Sequence, residues 1–155
     1  MRPRTPAIGL AVTAAVISLT AAPAHAAPGL VDGNLSAFGY TCTFANATTS
    51  DTPPNTLTVD RATVVPHCGG DISVTLANSP TITFDDTAGT ASAARIEVSA
   101  GALGITCRYR VSDVSVTRDG TTRTYTGGPF AATKVSGSFL CPAATQVDTA
   151  TFTFH

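Results

Sequence analysis

Leu103-Gly104-Ile105-Thr106-Cys107-Arg108-Tyr109-Arg110-Val111 decides the fold class. Its odd-numbered positions are apolar, aromatic or cysteine, while its even positions carry glycine, threonine and two arginines. A period of two predicts a half-buried strand, with Leu103, Ile105, Cys107, Tyr109 and Val111 inward and Thr106, Arg108 and Arg110 outward. Downstream, residues 114–118 and 121–125 flank Asp119-Gly120 and read as a hairpin with a tight type I′ turn, because that dipeptide tolerates positive φ. Val135, Phe139 and Cys141 predict a further strand, and Ala150, Phe152 and Phe154 another. Upstream, Ala94, Ile96 and Val98 point inward from a strand whose outward face carries Arg95 and Glu97. Before it come Ile82 with Phe84, then Ile72, Val74 and Leu76, then residues 57–65, and first Phe38, Tyr40, Cys42 and Phe44 on one parity. Asp85-Asp86-Thr87-Ala88-Gly89 reads as a turn. No run keeps helical spacing over three turns. About nine short strands predict an all-β fold, an antiparallel immunoglobulin-like sandwich or small barrel.

The two cysteine-bearing strands resemble each other. Residues 37–44 match residues 102–109 at four identities, and each copy is followed by a second cysteine, 26 and 34 positions on. Two related half-units are expected, each closed by its own bridge, Cys42 to Cys68 and Cys107 to Cys141.

Arg2 and Arg4, an apolar run over residues 7–22 and Ala-Pro-Ala-His-Ala-Ala predict a secretory signal peptide over residues 1–26, followed by one domain over 27–155. The run is too short to span a bilayer and no second one follows, so no transmembrane anchor is expected. An exported chain places its cysteines where disulfides persist. Small residues at Ala24 and Ala26 favour Ala27 as the mature terminus. Cleavage after Ala24 would instead expose His25, the arrangement a copper enzyme would use.

Charged residues make up 12% of the chain. Beyond residue 26, seven basic residues face ten acidic ones, a net charge of −3 that excludes a generic nucleic-acid binder. Catalytic material is scarce, with one Glu, no Trp and, past the leader, only His67 and His155 as imidazoles. Neither has an evident nucleophile and orienting acid. The carboxylates Asp60, Asp71, Asp85 and Asp86 read as turn caps rather than as a glycosidase pair, and the cysteines lack zinc-site spacing, so no metal or cofactor is expected. Arg108 and Arg110 share an outward strand face and Arg118 and Arg123 belong to the expected hairpin. These four are the candidate binding residues, for an anionic cell-wall or extracellular polymer.

The leader, the Gly-x-Thr-Cys-x-aromatic strand and Leu140-Cys141-Pro142 before an alternating Thr and Phe terminus resemble a loose group of small secreted actinomycete β-sandwich proteins. That resemblance implies a fold and a compartment. The chain also resembles the neocarzinostatin-type apoproteins in size, export, expected fold and two disulfides, although its cysteine spacings are wider, and no pocket residues carry over. The expected function is a secreted, non-enzymatic binding module. The alternatives are a small-molecule carrier with a cleft between the sheets, as the second resemblance implies, and a secreted hydrolase or copper enzyme. An open apolar cleft would mark the carrier, convergent polar groups in a cleft would mark the enzyme, and a surface module would have neither.

Overall fold

The alternation around Cys107 forms the first half of a fourteen-residue strand in a computed structural model that describes residues 27–37 and 39–155. The leader lies outside the described residues, as does Phe38. Among the described residues eleven strands follow one another, two more than the sequence suggests: β1 (Gly29–Ala37), β2 (Tyr40–Thr49), β3 (Leu57–Thr58), β4 (His67–Cys68), β5 (Ile72–Leu76), β6 (Thr81–Asp85), β7 (Thr90–Ala102), β8 (Ile105–Arg118), β9 (Thr124–Gly127), β10 (Phe130–Gly137) and β11 (Ala144–Phe154). Every pairing is antiparallel, and all strands belong to one connected sheet in the order β3-β6-β7-β8-β10-β11-β1-β2-β4.

This sheet rolls up. At one end β6 pairs with β7 and β3, and the Thr49 to Val59 bridge returns the path to β2. At the other end β5 pairs with β7 and lies against β4, which pairs with β2. The all-β antiparallel class and both expected disulfides are therefore present, in the form of a small barrel. Cys42–Cys68 joins neighbouring strands in direct register, and Cys107–Cys141 ties β8 to the segment after β10.

β9 and β10 are one interrupted strand. Both keep a continuous register against β8 on one side and β11 on the other, from Arg118–Tyr125 to Val111–Ala132 and from Thr153–Thr124 to Val147–Phe130. The interruption at Gly128-Pro129 is level with irregularities in three neighbouring strands. In β7 the inward parity passes from Ala91 and Ala93 to Ile96 and Val98. In β8 it passes from Tyr109 and Val111 to Val114 and Val116, at Asp113 with φ of 52°. In β11 it passes from Val147 to Ala150, Phe152 and Phe154. Gly128 takes φ of 129° and packs so closely on the Asp148 carbonyl that no Cβ would fit. A crease thus crosses four adjacent strands, and each spends one extra residue on it, as β-bulges do. Ala94, expected inward, is consequently exposed, and Ala93 is the buried alanine.

Five further expectations are corrected. The strand read through residues 38–44 is a hairpin, in which Ala37 pairs with Tyr40 and Gly39 turns at φ of 75°. Leu103 is not an inward strand residue. With φ values of 51° and 77°, Leu103 and Gly104 form the two-residue turn between β7 and β8, and Leu103 is 91% exposed. The turn at Asp119-Gly120 is longer than type I′, because the Asp119 amide donates to the Thr124 carbonyl at 2.8 Å and a second bond, Thr122 amide to Asp119 carbonyl at 3.1 Å, closes a turn inside that loop. Finally, pairing in residues 57–65 ends at Val59, and β10 ends at Gly137, which leaves Phe139 in a loop.

Candidate functional site

Strand directions bring three loops to one end of the roll. The β1–β2 and β7–β8 turns point that way, and residues 138–143 join them because β10 runs antiparallel to β8 toward the latter's start. The two disulfides sit just inside these loops, Cys42 and Cys107 each three residues past the glycine of its own turn. The internal sequence repeat therefore coincides with a repeated hairpin turn, a glycine at positive φ and then a strand that anchors a bridge.

Between these tips the walls do not meet. A cleft of about 650 Å³ opens there, lined by Leu35 and Tyr40 on one wall, Val98, Ala100 and Tyr109 on another and Phe130 and Val147 on a third. A smaller cavity of about 100 Å³ continues it toward the core and shares Leu35, Val74, Ile96, Val98, Val114 and Phe152 with it. The lining is almost wholly hydrocarbon. Its polar members are few, chiefly Asp71, Thr145, Gln146 and the phenol of Tyr109, which makes no hydrogen bond to any described residue. Small side chains explain the space, since Ala100, Gly101, Ala102 and Ala132 stand where larger residues would fill the roll.

Asp86 dominates the opposite end. Its carboxylate accepts from Arg118 Nη1 at 3.0 Å and from Arg123 Nη1 and Nη2 at 2.6 and 3.0 Å. The hydrogen bond from Arg123, followed by the positive charge of both arginines, holds Asp86 below the usual carboxylate range against partial desolvation. The same bond raises Arg123 further above its already high value. Beneath the network Arg123 also reaches the Tyr125 hydroxyl at 3.3 Å, and Phe84, Tyr125 and Phe154 pack in tilted and edge-to-face pairs with centroids 5.1–5.9 Å apart. This end is filled.

The four arginines do not lie on one face. Arg108 and Arg110 stay outward and converge on Glu97, at 2.6 and 2.9 Å, with Arg95 at 3.7 Å. Glu97 is covered by these guanidinium groups and not by protein interior, so it stays charged. Hydrogen bonds from Arg110 and then Arg108 hold its carboxyl below the ordinary range. Arg118 and Arg123 instead close the Asp86 end, roughly 26 Å from Arg110 along β8 at about 3.3 Å per residue. The crease separates the pairs.

No other expected group converges. His67 is exposed in β4, and His155 stands 3.8 Å from Asp32. Asp85 accepts from the Ala88 amide and Asp60 from the Ala62 amide, as turn caps. Among the described residues no three His, Cys, Asp or Glu side chains group as metal ligands, and no helix is long and apolar enough to cross a membrane. The sequence leaves the cleft as an alternative only, because its lining residues are those of an ordinary core and sequence carries no signal for the distance between opposite walls. The chain matches no protein-family model, no curated protein and no solved structure.

Proposed function

We propose that this protein is a carrier that holds an apolar small molecule in the cleft at its disulfide-bridged end. The observation that supports the reading is the pairing of a cleft of about 650 Å³ with an almost purely hydrocarbon lining and an open mouth. Ligand sites run to roughly 300–1,000 Å³ and combine an apolar wall with a few polar groups that set orientation. Here Tyr109, Gln146 and Asp71 are those groups. Dispersion and water release supply the affinity, and the scarcity of hydrogen-bond partners favours a ligand class, not one compound. The carrier works outside the cell. Two bridges and the leader-like residues 1–26 support export, with Ala27 as the mature terminus.

Native mass spectrometry of the exported protein tests this directly. A mass above that of the chain from Ala27, released by organic solvent, is expected, together with saturable binding of an apolar fluorescent probe. Ala100→Phe should abolish both while the far-ultraviolet spectrum is kept. No probe binding by folded wild-type protein would sink the carrier reading. A binding module for an anionic extracellular polymer is the second reading, favoured by three cations sharing Glu97 on the outer wall. It expects salt-sensitive retention on polyanionic wall material that is lost on Arg95, Arg108 and Arg110→Gln and indifferent to Ala100→Phe.

A further inference from the structure

Large apolar side chains at the rim of the cleft are exposed to a degree the fold does not require. Leu103 is 91% exposed, Phe139 90% and Leu140 60%. Single exposed apolar residues are common on any surface, but these three stand at the apexes of two loops on the same rim. Leu103 occupies a left-handed turn position, φ 51°, where asparagine, aspartate or glycine costs less. Local conformational preference therefore argues against leucine there. Phe139 and Leu140 are presented by a turn that two hydrogen bonds close. The Cys141 amide donates to the Ser138 carbonyl at 3.0 Å, and the Leu140 amide to Ser138 Oγ at 3.2 Å. Lys134 Nζ donates to the Cys141 carbonyl at 3.1 Å and the Cys107 bridge ties the loop down, so both side chains are held outward on a firm base.

We infer that this rim docks on the surface of an anionic phospholipid bilayer and that the cleft takes its ligand, an amphiphile with an apolar chain, from that surface; the inference rests on the carrier reading. Leu103 carries the argument furthest, because it lines the cleft and is also the most exposed apolar residue of the rim. The path from outside to cleft is thus apolar without a break. Isolated apolar apexes around an opening offer little continuous, self-complementary area to a second copy of the chain, which a symmetric dimer needs. Acyl chains accept such apexes one by one, as interfacial anchors do. Charge selects the headgroups. Arg108, roughly 10 Å along β8 from the turn, and Lys134 at the loop are the cations nearest the rim, Asp71 at the mouth is the opposing charge, and Arg110 and Arg95 with Glu97 stand farther up the outer wall.

Co-sedimentation of the exported, disulfide-intact protein with phosphatidylcholine vesicles, with and without a minority of phosphatidylglycerol, tests the inference. Binding to the anionic vesicles is expected, weaker on the neutral ones and reduced by salt. Phe139→Ser with Leu140→Ser should lower it by about tenfold or more, since two exposed apolar side chains lose their lipid burial. Neither residue lines the cleft, so the double variant should bind the apolar probe in vesicle-free buffer as wild type does. Asp71→Asn should strengthen vesicle binding. Absence of wild-type vesicle binding while the probe still binds overturns this inference and spares the carrier reading, whereas loss of probe binding by wild type fails that reading itself. Equal vesicle binding by wild type and the double variant also overturns it. So does a concentration-dependent dimer that the double variant abolishes, because the rim would then serve a second copy.

Discussion

The two ends of the roll are built from the same strands and differ in what fills them. Below the crease, β7, β8 and β11 direct Ala93, Val116 and Phe154 inward, and Phe84 and Tyr125 complete an aromatic cluster capped by Asp86, Arg118 and Arg123. Above it, the same strands direct Val98, Ala100 and Val147 inward, and the walls stay apart. Noncovalent packing closes one end and two disulfides brace the other. A cleft removes dispersion contacts that a filled core would have, and a bridge offsets that loss by restricting the unfolded chain. Covalent bracing thus stands where packing is given up.

The sharpest way to break the comparison is a pair of tyrosine truncations. Tyr125 is fully buried against Phe84 and Phe154, so Tyr125→Ala should cost about 3–5 kcal/mol, read from urea unfolding. Tyr40 lines the cleft at 43% exposure, and Tyr40→Ala should cost well under that while weakening probe binding. Similar losses at the two sites would mean that the disulfide end is packed as tightly as the other.

The bridges come next. Converting Cys107 and Cys141 together to Ser should cost roughly 3–4 kcal/mol in the loop-entropy model, with a similar loss for Cys42 and Cys68 because the closed segments, 34 and 26 residues apart in sequence, differ little. Both double variants should also bind the apolar probe more weakly. A variant that loses stability and keeps full probe affinity would show that its bridge braces the fold without shaping the mouth.

Much of the fold was legible in the sequence, for reasons the structure makes concrete. Alternation from Ile105 to Val111 gave the strand and its faces, and the repeat of residues 37–44 in residues 102–109 gave both cysteine pairs. Strict alternation fails where a strand spends an extra residue, so Ala94 was placed on the wrong side of the crease. Leu103 continued the parity of the strand after it and hid a turn that only its φ of 51° reveals. β1 escaped notice because Gly29, Asp32, Gly33 and Asn34 dilute its β-forming residues, although it pairs along its length with β2 and β11. The cluster on Glu97 follows from cross-strand register, since Glu97 faces Arg110 directly and Arg108 is diagonal to it. That register was not readable before the turn at Leu103-Gly104 was located.

The smallest expected effect concerns the two carboxylates, one serving each region. Both have folded-state affinities for protons below those of the unfolded chain, Asp86 through Arg123 and Glu97 through Arg110 and Arg108. The unfolded chain therefore binds protons first as pH falls, and stability declines. Their contribution is complete above the unfolded values of about 4 and disappears as pH drops through the lower folded values. The urea midpoint should accordingly be flat from neutral pH to about 5 and fall below about 4. Asp86→Asn and Glu97→Gln should each lower the midpoint at neutral pH and converge on wild type in acid, where the wild-type groups are protonated too. The Glu97 side chain is 6% exposed and bonded by two arginines, whereas the Asp86 side chain is 40% exposed and its pairs are screened more, so Glu97→Gln should have the larger effect. A larger effect for Asp86→Asn would place the aromatic end, and not the outer wall of the cleft, at the centre of the fold's electrostatics.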